Sequence, residues 1–354
     1  MSTMTQNKII ENIFKEIEAI GDISQKNVVP RGARVLLAYK VFRALDRHRF
    51  RLEPADIEEC LGDLVDTREF LENLLKENNF TESEKTQGVV KEPIEEAERM
   101  QYLYGLAWGE QSDQEYYHGA SHFKDRLLNS NIDISFLESA NCLDLGTGHA
   151  RYALAMLHLG AKSVTGVDFS KYCLDETERR LKSHSKERSK IKLVHKDVYD
   201  LPKDMNNTFD FVCANSFIHH LSDPERALEI VYKTMKRGGH AFVFVFAEDN
   251  TPTWRAIDLM RELLKPVPIW HTHKTVKGFE VPGNKIFNFL DYSYTPIQHR
   301  FKRKKFEKTL KDIGFKDIKF LEGGVIHDSV LRSRMFEADK LLYGNSEIRY
   351  LLKK

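Results

Sequence analysis

The run Cys142-Leu143-Asp144-Leu145-Gly146-Thr147-Gly148, followed about twenty residues on by Val164 to Asp168, constrains this chain more than any other feature. It reads as a buried strand, a glycine turn, a helix and a second strand ending in a carboxylate, which is the opening of a nucleotide-binding βαβ unit. The details narrow the ligand. A dinucleotide fingerprint, G-x-G-x-x-G/A, has a third small residue that lets helix and strand pack closely, and it seats a diphosphate on the helix N-terminus. Here the third position is Arg151, and Asp144 stands two residues before the first glycine. A carboxylate there repels a diphosphate and suits a cationic ligand.

Further motifs follow in order. Asp168 closes the strand Ser163 to Val167, where a carboxylate can accept hydrogen bonds from both hydroxyls of a ribose. It can also cap the helix from Lys171 onward, a job open to Ser170 as well. Asp197 and Val198 come after the strand Ile191 to Lys196. The strand Phe209 to Ala214 leads into Asn215, Ser216, Phe217, Ile218, His219 and His220, and Asp223 with Pro224 starts a helix through Met235. Gly238 and Gly239 precede the apolar strand Ala241 to Ala247. Short apolar runs alternating with amphipathic helices predict a parallel sheet covered on both faces.

In this order and at these spacings the motifs resemble those of the class I S-adenosylmethionine-dependent methyltransferases, the broad UbiE-like or type 11 family, over residues 131–321. The resemblance implies an α/β, Rossmann-like sheet, mostly parallel with seven strands, and S-adenosyl-L-methionine as cofactor, released as S-adenosyl-L-homocysteine. It implies that Gly146, Thr147 and Gly148 lie against the methionine part of the cofactor and that Asp144 orients its amino group. Asp168, with Phe169, serves the ribose, Asp197 and Val198 recognise adenine, and Asn215 lies near the sulfonium. In many members an aromatic helix closes over the methionine end. Tyr102, Tyr104, Trp108, Tyr116, Tyr117, His118 and Phe123 offer that character, with Tyr116 or Tyr117 bonding the carboxylate, or with rings that simply pack. His219 or His220 is placed to take a proton from a hydroxyl acceptor, or to cap the next segment.

Length sets the remaining organisation. A chain of 354 residues predicts two domains, or one with long additions. Residues 1–97 are expected to be a helical cap or dimerisation domain with its linker, 98–335 the cofactor-binding domain with a substrate lid at 248–300, and 336–354 a helical tail. In the first region Ile9, Ile10, Ile13, Phe14, Ile17 and Ile20 recur at helical spacing, as do Leu36, Leu37, Val41, Phe42 and Leu45, then Phe70, Leu71, Leu74 and Leu75. Pro54 can open a short helix through Cys60, with Asp66 capping a longer one. That order resembles the winged-helix domain through which some small-molecule O-methyltransferases dimerise. Asp66, Glu69 and Glu72 on its would-be recognition helix repel phosphate, which argues against DNA reading. A charged linker spans Asn78 to Glu96.

Net charge is +1, so no global field points to nucleic acid. Cys60, Cys142, Cys173 and Cys213 are scattered without C-x-x-C spacing, and His271, His273 and His299 lack the acidic or cysteine companions of a metal site. No segment is long and apolar enough to span a bilayer, and Met1 to Asn7 lacks the order of a signal peptide, so a soluble cytoplasmic protein is expected. The lid's Trp254, Trp270, Phe279, Phe287, Phe289, Tyr292 and Tyr294 fit an aromatic or lipid-like acceptor, or a satellite core. The basic run Arg300 to Lys311 carries Phe301, Phe306 and Leu310 on an apolar face and reads as a solvated helix surface. The function expected is methyl transfer to the oxygen or nitrogen of a small molecule. A tRNA-modifying methyltransferase and a non-catalytic cofactor-binding scaffold for a partner subunit are the alternatives.

Overall fold

The computed structural model describes residues 3–47, 54–81, 101, 103–105, 112–130, 132–182, 185–325, 330–331 and 336–354. Tyr102, Trp108 and the linker from residue 82 onward lie outside the described residues. The chain divides into a helical unit, Met1–Glu110 with Asp249–Thr295 and Arg334–Gly344, and a sheet unit, Gln111–Glu248 with Pro296–Ser333 and Asn345–Lys354.

The sheet unit is built on strands β1 (Asn141–Leu145), β2 (Ser163–Asp168), β3 (Ile191–His195), β4 (Phe209–Asn215), β5 (Met235–Phe246) and β6 (Lys316–Leu321). A two-residue pair, β7 (Gly324–Val325) with β8 (Val330–Leu331), and the closing strand β9 (Glu347–Lys353) follow. The seven-stranded sheet has the order β3-β2-β1-β4-β5-β9-β6. Its first five strands are parallel, and β9 runs antiparallel to both neighbours. The expected Rossmann-like, mostly parallel seven-stranded sheet is therefore the one found.

Both faces of the sheet are covered, which is why its central strands read as nearly continuous apolar runs. On one face Ala227, Leu228 and Val231 of the helix Pro224–Thr234 and Phe306 and Leu310 of the helix Arg303–Ile313 share a core with Val212, Val243 and Tyr350. On the other, Phe123 of the helix Asp113–Leu128 packs edge-on against Phe242, with ring centres 5.4 Å apart. Side chains of this size contribute about 1.5 to 3 kcal/mol each when fully buried. The lysines of the Arg303–Ile313 helix stay exposed, so its basic run is the solvated surface expected.

Local signals set the element ends. Ser112 and Glu115 form a capping box, Asp223 accepts from the Arg226 amide at 3.0 Å, and Gly314 ends its helix at φ 111°. Gly238 and Gly239 do not precede β5 but lie inside it. Met235 pairs with Phe209 and His240 with Phe211, so β5 advances five residues while β4 advances two, and Gly238 at φ +78° absorbs the excess in a bulge.

Two sequence expectations need correction, the helix pair before residue 78 and the helical C-terminal tail. A single helix, Ile57–Glu77, replaces the short and long pair, because the stripe Ile57, Cys60, Leu64, Thr67, Leu71 runs unbroken past the exposed Asp66. Its N-cap is Asp56, which accepts from the Glu58 and Glu59 amides at 3.1 and 2.9 Å. Among the described residues the winged-helix order is therefore not present. The lid segment forms the helices Pro252–Leu264, Ile269–Lys277 and Gly283–Tyr294, and these pack on Thr3–Lys26 and Arg31–Asp46 within the helical unit. Lys285 pairs there with the buried Asp46 at 2.5 Å, and Arg34 donates to the Leu263 carbonyl at 3.3 Å. The C-terminal tail is a short helix, Glu337–Tyr343, followed by strand β9. Gly344, at φ 53° and ψ −147°, makes the break in a conformation essentially confined to glycine.

Candidate cofactor and methyl-transfer site

The site is built along the carboxyl edge of the sheet. After β1 the chain passes through Gly146 at φ +67° and Gly148 at φ +52°, a path glycine takes at little steric cost. Asp168, at the end of β2, holds that turn: its Oδ2 accepts from the Gly148 amide and its Oδ1 from the Ser170 amide, both at 2.8 Å. Ser170 caps the next helix by accepting from the Cys173 amide at 3.3 Å, so Asp168 is released from the capping role.

Asp144 lies beneath the turn, 1 % exposed, and its Oδ2 accepts from the Thr147 hydroxyl at 2.6 Å. Thr147 fits because β2 has glycine opposite: a Cβ on Gly166 would stand 2.9 Å from the Thr147 Oγ1. Burial pushes the Asp144 carboxyl up to about 7, against the hydrogen bonds from Thr147 and Cys213. A buried carboxylic acid that ionises near neutrality becomes a strong counter-charge for an ammonium group placed beside it. Affinity for S-adenosylmethionine is therefore expected to rise with pH through about 7 as Asp144 ionises, and Asp144→Asn should lose that rise. Titrating binding from pH 6 to 8 checks this, and an identical slope in both proteins would contradict it. The same shift acts on stability with a defined sign. The folded state holds this proton more tightly than the unfolded chain, so the contribution is full at low pH and is lost as pH rises through about 7.

A groove beside the turn is lined by Gly146, Asp168, Phe169, Asp197, Val198 and Phe217. The structure thus brings together the glycine turn and the residues expected to serve ribose and adenine. Asp197 is exposed, its Oδ1 accepting from the Tyr199 amide at 2.8 Å, while Val198 is buried. The Phe169 carbonyl lies 2.9 Å from the His195 Nε2. Two buried carboxylates, a turn held open by glycines and a groove between them fit an adenosyl ligand that carries positive charge.

The helix Asp113–Leu128 flanks the turn. Tyr116, fully buried, donates to the His149 carbonyl at 2.7 Å, whereas the Tyr117 hydroxyl reaches the Arg180 carbonyl at 3.3 Å. Tyr116 thus bonds the segment that follows the glycine turn. Arg151, the departure from the dinucleotide fingerprint, is accommodated by Gly119 on this helix, where a Cβ would stand 2.7 Å from its Nη1. The small residue that close packing needs has moved to the facing helix.

At the end of β4, Asn215 accepts from Arg126 Nη1 at 2.7 Å, and Ser216 takes φ +57°. The two histidines then part. His219 is fully buried, stacked on Phe246 at 3.7 Å, and desolvation holds its pKa well below the usual imidazole range. His220 is 6 % exposed, and its Nδ1 lies 2.9 Å from the Ile297 carbonyl. A carbonyl only accepts, so the neutral ring carries its proton on Nδ1 and its lone pair on Nε2. Neither ring caps the following helix, which Asp223 does. Among the described residues no group of three or more His, Cys, Asp or Glu is arranged to hold a metal, and no helix is long and apolar enough to cross a membrane.

Comparison with known proteins agrees with this geometry. Residues 143–243 match the family described as a methyltransferase domain. The demethylmenaquinone methyltransferase of Staphylococcus epidermidis is 27 % identical over 157 residues, 44 % of this chain and 63 % of that protein. The enzyme of that name from Clavibacter sepedonicus is 29 % identical over 145 residues, 41 % and 57 % of the two chains. The chain thus spans less than two thirds of the length of these relatives. Solved structures with distant likeness include the 1,6-didemethyltoxoflavin-N1-methyltransferase of Burkholderia thailandensis, with a TM-score of 0.40 and 14 % identity over 75 % of this chain and 93 % of that one. The chain carries a class I S-adenosylmethionine-dependent methyltransferase domain. Within that class the region is similar to the UbiE-like enzymes named above.

Proposed function

We propose that this protein transfers a methyl group from S-adenosylmethionine to the oxygen or nitrogen of a small molecule held at the carboxyl ends of β4 and β5. The observation that carries this reading is the order of groups along the sheet edge. Asp197, Asp168, the Gly146 turn, Asn215 and His220 follow one another across β3, β2, β1 and β4, from the groove to the paired histidines. When bound, the cofactor supplies a methyl group already activated by positive sulfur, so the chain's work is placement. Asp168 orients the ribose, Asp144 balances the amino group, and the turn holds both in register. The relatives named for demethylmenaquinone support an acceptor of small-molecule class.

A hydroxyl acceptor must lose a proton as it is methylated. His220 takes this role: the Ile297 carbonyl fixes its tautomer so that Nε2 is the accepting nitrogen. His219, buried and uncharged, positions its neighbour through their edge-on contact, with ring centres 4.1 Å apart. His220→Ala is expected to lower kcat about 10²-fold or more with cofactor affinity unchanged, the usual worth of a general base. Single-turnover rates measured beside cofactor binding decide this. A fully active mutant would remove His220 from the chemistry.

A further inference from the structure

Two arginines flank one phenyl ring at the acceptor end of the sheet, and neither was legible as a site residue in the sequence. Asn215 of β4 is the partner of Phe244 in β5, and Phe244 is the partner of Arg349 in β9. Directly paired residues point to the same face, so these three side chains form one row across the carboxyl edge. The helix Asp113–Leu128 covers that face and adds a fourth member. Arg126 bonds Asn215 at 2.7 Å and places its guanidinium carbon 5.5 Å from the centre of the Phe244 ring. The guanidinium carbon of Arg349 lies 5.4 Å from the same centre. Arg349 is 3 % exposed and forms an ion pair with Glu347, the next residue to face this side.

A buried guanidinium is costly to maintain in a place where packing alone would accept an apolar side chain. That buried guanidinium and the half-buried one of Arg126 around one ring, beyond the sulfonium end of the cofactor site, define a platform that is aromatic at its centre and cationic at its sides. Each guanidinium presents five N–H donors in a planar fork whose geometry matches a carboxylate. Adjacent strands lie about 4.8 Å apart, so Arg349, two strands beyond Asn215, stands about 10 Å from the end of β4. That is roughly the span of a substituted six-membered ring.

We infer that the methyl acceptor is a small organic acid whose ring or chain rests on Phe244 while its carboxylate is held by Arg349 and Arg126, with the methylated atom at the opposite end, toward His220. This deepens the transferase reading and rests on it. In the reaction the acceptor's nucleophilic atom gains the methyl group as the sulfur–methyl bond breaks, and the nucleophile's proton goes to His220. The carboxylate is a handle and is not itself methylated.

The test uses the full chain with S-adenosylmethionine carrying a labelled methyl group. An ultrafiltered cell extract is passed at neutral pH over an anion exchanger, and the retained and unretained small molecules are offered separately as acceptors. Label is expected in products from the retained fraction. With that fraction, Arg349→Gln should raise KM by about tenfold or more while kcat falls far less, Arg349→Lys should restore part of the loss, and Arg126→Gln should act in the same direction. Unchanged S-adenosylhomocysteine binding shows that each variant is folded, and should Arg349→Gln fail that check, the fractionation and Arg126→Gln carry the test. Label confined to the unretained fraction, or an unaltered KM in the folded variants, would overturn the inference and leave the transferase reading standing. No label from either fraction would refute the transferase reading itself and this inference with it.

Discussion

Replacing Asp168 by alanine is expected to weaken S-adenosylmethionine binding by at least about tenfold, the largest loss of cofactor affinity of any single truncation in the site. The carboxylate is 8 % exposed and accepts from two backbone amides, those of Gly148 and Ser170. Hydrogen bonds to a charged group are worth about 1.5 to 3 kcal/mol each, and removing the acceptor leaves both donors unmatched. The substitution therefore acts twice, loosening the turn and deleting the proposed ribose partner. Asp168→Asn separates the two effects, because its single carbonyl oxygen can hold one amide and not both. Equilibrium binding of the labelled cofactor gives the answer, and wild-type affinity in Asp168→Ala would show that the ribose is held elsewhere.

Gly146→Ala is expected to be the most damaging conservative change in the sheet unit. Its new Cβ would stand 2.6 Å from the Phe217 Cγ and 2.7 Å from the Phe217 Cβ, so the clash falls near the Phe217 backbone and a rotation of the ring does not relieve it. The residue would also have to hold φ +67°, which costs an alanine about 1 to 3 kcal/mol. Overpacking adds about 1 to 3 kcal/mol. A loss of roughly 2 to 6 kcal/mol in unfolding free energy should appear as a lower denaturant midpoint, together with lost cofactor binding. Gly148→Ala is the internal comparison, since it takes φ +52° with nothing within 4 Å of its Cβ and should lose only the backbone part. Equal midpoints for the two variants would mean that Phe217 yields and that the contact does not matter.

The sheet and its cofactor edge were legible because each strand carries its own boundary signals. Leu145 stops at a glycine, Val167 at an aspartate, and Phe211 to Ala214 is apolar on both faces, as a central parallel strand must be. These signals are local, lying within a few residues of the structure they specify. What was not legible depends on partners distant in sequence. Gly119 makes room for Arg151 across 32 positions, and Arg349 reaches Phe244 only because β9 returns to pair with β5. The leucines near the C-terminus have a spacing that serves either helix or strand, and the pairing with β5 and β6 decides for strand. In the helical unit Asp66 has the chemistry of a cap but lies on the solvent side of a longer helix, where the buried stripe on the opposite side overrides it. For the histidines, sequence placed both at the end of β4, and only burial and the Ile297 carbonyl distinguish a packed ring from one with a defined accepting nitrogen.

The central claim is that this chain moves a methyl group from S-adenosylmethionine to a small molecule at the carboxyl edge of its sheet. The most direct measurement is transfer of labelled methyl from that cofactor into a cell extract, separated afterwards into RNA, protein and small-molecule fractions, with Asp168→Ala run in parallel. Label in the small-molecule fraction, formed by the wild type and not by the mutant, is the expected result. Label confined to RNA or protein, or no transfer by a protein that binds the cofactor, would contradict it.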